Sequence, residues 1–357
     1  MAGILKWFKF SEIDLGDVFF DSLKADYLEF PDWFSRKAKA GEEALVAKDD
    51  EGITAFLYLK REDEAIALSE GSIPAEPRLK IGTFKLSDRM KGNRQGEGTL
   101  GIALWKWQQS GLNEIYVTVF PKHDVLIMLL ERFGFSLVGH NSRGEGIYVK
   151  DRRRLDFSDS FKAFPFIKKG FGKAFVLPIN DDYHDKLFPY SEVARNTREV
   201  EEIAAGNGIS KVFIGFPFSN VAYKDGKPIL VYRKYTGEKL KKSYASCATS
   251  FCTIRKTTNV KSRGVAYLSY DSFRSLVGNK AVFSDSDLQR MYQNEQNIVV
   301  VELIYNGFFG KGYNVTYHWL KEHNLFEGHP YSIEYSEEEF EMILKEASVD
   351  VQNAFVN

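Results

Sequence analysis

Cysteine is nearly absent: the chain has two in 357 residues. Cys247 and Cys252 lie five apart in a stretch that reads as a strand, which sends them to opposite faces. An intrachain disulfide is therefore not expected. Six histidines are scattered, so neither residue type shows a metal-ligand spacing, and no metal site is expected. No stretch approaches 18 uncharged apolar residues, which argues against a membrane-spanning helix. Met1–Phe10 breaks its apolar residues with lysines and does not read as a signal peptide. Internal repeats and low-complexity tracts are lacking too, which argues against a solenoid or a disordered linker. Together these absences point to a reducing, cytoplasmic setting.

What is present is ordinary for a globular chain: 44% hydrophobic and 27% charged residues. The length exceeds one ordinary core and suggests two domains. The net charge of −1 hides a strong segregation. Residues 1–150 hold 20 basic against 23 acidic residues, 151–264 hold 22 against 12, and 265–357 hold 6 against 14. The middle is thus basic by 10 and the end acidic by 8. A basic segment invites a polyanion unless the acidic end packs beside it.

Along the first 150 residues, Ile13–Leu23 and Pro31–Lys39 read as helices. Glu42–Lys48 and Gly52–Lys60 read as strands joined by the turn signal Asp49-Asp50-Glu51-Gly52. Leu79–Leu86 is a third strand. A polar turn, Ser87–Gln95, leads into an amphipathic helix that ends at Gly111. Glu114–Phe120 is a strand, Asp124–Phe133 an apolar helix ended by Gly134, and two short strands follow.

The constellation Ile81–Leu86, Ser87–Gly96 and Glu97–Ser110 is strand, turn and helix. Such a turn leaves backbone N–H groups at a helix N-terminus, where a pyrophosphate can bind without dedicated side chains. The succession of elements resembles the GNAT superfamily of N-acetyltransferases, whose loop reads Arg/Gln-x-x-Gly-x-Gly/Ala. Two frames fit, Gln95–Leu100 and Lys91–Gly96. The second leaves 15 residues from Gly96 to Gly111, the four helical turns the resemblance requires. In that frame Lys91 keeps a positive first position and Arg94 replaces a glycine. Gly134-Phe135 match a further block, whereas His123 stands where Asn is usual and Leu130 where a tyrosine commonly protonates the leaving thiolate.

The resemblance implies acetyl-CoA as acyl donor, held by Phe84, Lys85, Leu86, Lys91, Gly92, Asn93, Arg94, Gln95, Gly96 and Glu97. An amine of unstated identity accepts the acyl group. The proton acceptor is sought among His123, Glu114 and Tyr148, with Asp88 as a further carboxylate and His123 favoured by its place after a strand.

Beyond a charged junction at 151–170 the pattern changes. Ala174–Pro178, Lys211–Phe216, Pro228–Tyr235, Tyr244–Lys256 and Ile298–Phe308 read as strands. Intervening helices include Arg195–Ala204, Ser284–Asn294 and Ser336–Ala347; Ser336 begins a capping box with Glu339. The order over 171–350 resembles a PUA-like domain, the class that includes EVE and ASCH domains, with 351–357 as a tail. Such a domain implies RNA or a modified base as ligand. Arg233, Lys241, Lys242, Arg255 and Lys256, interleaved with tyrosines, are the candidate nucleic-acid contacts.

The expected fold is therefore α/β (α+β). A GNAT-type mixed sheet with flanking helices spans 1–150, and a PUA-like β-barrel with surrounding helices follows. The expected function is acetyl transfer to an amine, with the second domain recognising RNA or another nucleic acid. Two alternatives remain at this stage: a catalytically degenerate scaffold carrying a nucleic-acid-binding module, and a toxin-like acetyltransferase acting on aminoacyl-tRNA.

Overall fold

Apolar residues alternate or run unbroken through the strands of the first half, and the computed structural model places them in one mixed sheet. It describes residues 5–191, 204–217 and 221–357. The chain divides into two compact units, Met1–Leu155 and Asp156–Asn357.

The first unit runs β1 (Lys6–Lys9), α1 (Asp21–Asp26), α2 (Phe30–Lys39), β2 (Glu43–Asp49), β3 (Gly52–Glu62), β4 (Arg78–Leu86), α3 (Gln95–Ser110), β5 (Glu114–Val119), α4 (Asp124–Arg132), β6 (Ser136–His140) and β7 (Gly146–Asp151). The strands pair in the order β1-β2-β3-β4-β5-β7-β6. Every neighbouring pair is antiparallel except β4 and β5. A parallel pair needs a crossover, and α3 provides it.

Helices α1 and α2 cover one face of this sheet. There Phe10, Phe20, Phe30 and Phe34 pack on Val46, Phe56 and Tyr58. Helix α3 covers the opposite face, lying on β3, β4 and β5. The helix expected over Ile13–Leu23 does not form as one piece. Val18–Phe20 is a short 3-10 turn, and α1 starts only at Asp21. The cause is Asp17, whose carboxylate accepts the N–H groups of Phe19 and Ile53 and so ties the segment to β3.

The second unit contains β8 (Ala174–Asn180), α5 (Asp181–Leu187), β9 (Ser210–Gly215), β10 (Pro228–Lys234), β11 (Cys247–Ser262), α6 (Tyr270–Val277), α7 (Asp285–Asn294), β12 (Ile298–Phe308), β13 (Glu334–Tyr335) and α8 (Glu337–Glu346). Its main sheet runs β9-β12-β11-β10-β8-β13. Strand β11 is 16 residues long and shifts register three times against β12. Each shift bends the strand and increases its twist. Among the described residues no pairing joins β9 to β13, so the sheet stays open where a closed barrel was expected.

Ser284 and Ser336 each cap their helix, with Asp287 and Glu339 completing capping boxes. The expected strand over Tyr244–Lys256 begins later, because Lys242–Ala245 forms a helical turn. The helix expected over Arg195–Ala204 lies, up to residue 203, outside the described residues. Residues 156–170 of the expected junction, and the expected tail, are built into this unit: Ile167–Lys168 pairs with Phe355–Val356, and Phe355 is buried. Both cysteines are free and buried.

Candidate active site

The central feature is a break in the parallel pair. β4 and β5 run together from Arg78–Glu114 to Ile81–Val117, and there the pairing stops. On its other edge β4 continues to pair with β3 through Leu86. One extra residue, Gly82, sits between the partners of Tyr58 and Leu59 and forms a β-bulge. A Cβ at Gly82 would meet the Tyr58 ring at 2.7 Å, so glycine is needed for the close approach. Residues Thr83 to Leu86 thus present backbone N–H and C=O groups toward a β5 that has moved away. An extended chain carrying amides fits such a slot.

The same strand leads into the loop before α3. Ser87 N–H donates to Thr54 O at 2.8 Å, and Asp88–Met90 makes a 3-10 turn. Arg94 takes φ 57°, a left-handed conformation, and α3 begins at the next residue. This is the position where the frame Lys91–Gly96 replaces glycine. Its side chain is nearly buried, and its Nη2 donates to Glu97 at 2.8 Å. Burial works against the Arg94 charge, and Glu97 opposes that effect. Arg132 also stands 3.7 Å from Glu97.

Gly96 is tightly placed: a Cβ there would come within 2.9 Å of Leu86 Cδ1. The first N–H groups of a helix lack intrahelical acceptors and carry the positive end of its dipole. Two buried side chains stand beside this turn with an atom unpartnered, Gln95 Oε1 and Thr99 Oγ1. Oxygen and nitrogen of the Gln95 amide are interchangeable by a flip. Flipped, the amide accepts from Thr54 and turns a donor toward the unpartnered side. These residues fit a pyrophosphate-bearing ligand. Lys91 is exposed and pairs with Asp88 at 3.0 Å. Phe84 and Leu86 alternate with Lys85, whose Nζ crosses the opposite face to Phe19 O and to Ser22 Oγ at 2.5 Å. Burial lowers the Lys85 pKa.

The three catalytic candidates fall in different places. His123 lies at the turn after β5, half-exposed, with Nε2 3.5 Å from Asp26. It stands on the side of the splay covered by α1. Glu114 lies at the opposite end of β5, where the parallel strands are still paired. It is buried and holds Arg78 at 2.5 Å and Arg153 at 2.9 Å. Burial raises its pKa, opposed by Arg78. This ion cluster is a correction to its reading as a proton acceptor, because both carboxylate oxygens are engaged away from the slot. Tyr148 is buried on β7 opposite Val117. Burial, with Glu131 nearby, raises its phenol pKa. Leu130 is buried inside α4.

Sequence reading missed two groups at the slot's α1 side. The Tyr27 hydroxyl donates to Glu145 at 2.7 Å, and its ring lies 5.5 Å from that of Phe120. Both come from turns, Tyr27 after α1 and Glu145 before β7, and no local spacing marks either. The Gly82 bulge had a visible signal, an isolated glycine in a strand.

Of the nucleic-acid candidates, Lys241, Lys242 and Lys256 are exposed. Arg255 is partly exposed and donates to Glu302 at 2.9 Å. Arg233 is a correction. It is buried, and its guanidinium grips both Asp185 oxygens at 2.7 and 2.8 Å. His184 links that carboxylate to Thr249, with 2.9 and 2.8 Å contacts. Burial lowers the His184 pKa and favours the neutral ring. Among the described residues no helix is long and apolar enough to cross a membrane, and no cluster of His, Cys, Asp and Glu is placed to hold a metal.

No family model matches the chain, and no curated protein matches it. Solved structures similar to its N-terminal part are GNAT N-acetyltransferases. One is Ard1 from Thermoplasma volcanium, 13% identical, covering 42% of this chain and 95% of its own, with a TM-score of 0.33. Another is the PaiA N-acetyltransferase from Thermoplasma acidophilum in complex with coenzyme A, at 14% identity, 42% and 99% coverage and a TM-score of 0.30. A third is PH1933 from Pyrococcus horikoshii OT3, at 21%, 42%, 98% and 0.30. At these scores the likeness carries no argument about chemistry, and the functional reading rests on the geometry above.

Arg94 supplies a test of the loop. Arg94→Gly relieves a left-handed side-chain conformation costing about 1 kcal/mol, but leaves Glu97 buried beside the more distant Arg132. Breaking a buried pair costs about 3–5 kcal/mol. The variant is therefore expected to lose roughly 2–4 kcal/mol in urea unfolding, and adding Glu97→Gln should restore most of it. A more stable Arg94→Gly protein contradicts this assignment.

Proposed function

We propose that the first unit transfers an acyl group, acetyl in the simplest case, from a coenzyme A thioester to an amine. The observation that carries this reading is the parting of β4 from β5 at the Gly82 bulge, with the loop Ser87–Arg94 leading from the same strand into α3. One ligand with a pyrophosphate and an extended amide-bearing arm satisfies both features. The first turn of α3, with Gly92, Asn93, Gln95 and Gly96, takes the pyrophosphate. Backbone groups of Phe84, Lys85 and Leu86 pair with the arm as an added strand. The donor supplies an activated acyl carbon and a good leaving group.

The protein's residues do the rest. Backbone N–H groups beside the Gly82 bulge polarise the acyl carbonyl and stabilise its developing negative charge. The face covered by α1 receives the amine. As its nitrogen bonds to the acyl carbon, the carbon–sulfur bond breaks and the electron pair leaves on sulfur. With Leu130 in place of a tyrosine, the thiolate departs without a dedicated acid. His123, half-exposed beside Asp26, exchanges the released proton with solvent.

For the second unit we infer a nucleic-acid ligand, supported by one surface. Tyr244 is 52% exposed, its ring lies 4.8 Å from that of His318, and Lys241 Nζ lies 5.8 Å from the Tyr244 ring centre. Lys242 adjoins this stacking surface. Only the order of strands and helices over 171–350 supports a PUA-like reading. Arg233 takes no part.

Titration calorimetry with acetyl-CoA, paired with thiol release over a panel of amines, tests the first reading. Binding is expected, and Gly96→Val should weaken it at least tenfold, about 1.4 kcal/mol, with the fold intact. No heat at ~1 mM ligand overturns the reading. For the second unit, single-stranded RNA anisotropy should show binding that falls steeply between about 50 and 200 mM salt. Lys241→Ala with Lys242→Ala should reduce it, and an unchanged affinity argues against this surface.

A further inference from the structure

A carboxylate on the α1 side of the splay has no ionic partner among the described residues. Glu145 immediately precedes β7, whose Gly146 pairs with Val119 at the end of β5. It therefore stands where β5 has already left β4. The residue is 4% exposed, yet among the described residues no cation lies within 4.0 Å of its carboxylate. Burying an unpaired carboxylate is costly unless hydrogen bonds hold it.

Two neutral donors hold it. Tyr27 donates to Oε1 and Asn141 Nδ2 to Oε2, each at 2.7 Å. The Asn141 amide cannot turn round, because its Oδ1 already accepts the N–H groups of Arg143 and Glu145, both at 3.0 Å. A carboxylate offers about four acceptor positions, and these donors fill two. Arg143, the obvious counter-ion, is directed elsewhere: it pairs with Glu29 and lies 5.8 Å over the Tyr27 ring. The fold thus orients this carboxylate firmly and leaves it acceptor capacity.

Resting on the acyl-transfer reading, the geometry points to Glu145 as the general base for the acceptor amine. The amine nitrogen forms its bond to the acyl carbon while the carbon–sulfur bond breaks and thiolate leaves. The excess proton on nitrogen passes to a Glu145 oxygen. Tyr27 and Asn141 are positioning residues that fix the carboxylate's direction. The charged and titratable groups around it are Tyr27 and Asp26 from the end of α1, Glu29 before α2, Arg143 in its own turn and Lys80 on β4.

The test compares full-length wild type, Glu145→Gln and Tyr27→Phe in acetyl-CoA binding and in kcat/KM against pH. Glu145→Gln is expected to bind acetyl-CoA within twofold of wild type, to lose about 100-fold in kcat and to lose the acid limb of the profile. Tyr27→Phe lets the carboxylate turn, so kcat should fall about tenfold while the amine KM and acetyl-CoA affinity stay within twofold. A purely structural role for Tyr27 would change KM and acetyl-CoA affinity as well. A Glu145→Gln protein that keeps kcat within about threefold overturns the assignment alone. A Tyr27→Phe protein that keeps wild-type kcat does so independently of how the first variant folds. A wild type that binds acetyl-CoA but transfers to no amine overturns the assignment and the transfer step together, and a wild type that binds none overturns the donor site as well.

Discussion

The first unit depends on a single backbone event, the extra residue at Gly82. Because that residue lacks a side chain, β4 can bulge against the Tyr58 ring and still pair with β3 as far as Leu86. Its hold on β5 ends at Ile81. A sheet with a parallel pair is normally closed to ligands along its length. Here it opens over a few residues, and the loop Ser87–Arg94 carries the chain from the strand that opens into α3. Helix dipole and unpaired strand edge therefore serve one slot. Gly96 continues the same logic, since any larger residue would press on Leu86.

Much of this was legible in the sequence because it is local. The 15-residue spacing from Gly96 to Gly111 matches the extent of α3, Gln95–Ser110. What failed was non-local. Glu114 reads as a candidate proton acceptor, but Arg78, 36 residues away, comes beside it through the parallel pair. Arg233 read as a surface cation until β10 brought it to Asp185 on α5. Glu145 and Tyr27 are 118 residues apart and occupy turns, so neither periodicity nor motif could link them. The helix expected over Ile13–Leu23 yielded to one side chain, Asp17, which satisfies backbone groups on two segments.

The second unit shows how a basic segment can be partly neutralised within its own fold. Asp185 takes Arg233, Glu302 takes Arg255, and His184 extends the first pair to Thr249. Among the described residues, the charge that remains outside includes Lys241 and Lys242 beside Tyr244, and Lys256 on β11. A long strand with repeated register shifts curls the sheet, yet its edges stay apart among the described residues. That unit thus offers a narrower surface than its composition implies.

The claim that the rest requires is that the β4–β5 splay and the start of α3 hold a coenzyme A ligand together. Amide hydrogen exchange with and without saturating coenzyme A reads both places at once. The account predicts slower exchange at Thr83 to Leu86 and in the first turn of α3, from Gln95 to Glu97, with the second unit unchanged. Exchange unaltered at these amides in the presence of bound coenzyme A, or protection confined to other elements, would contradict it.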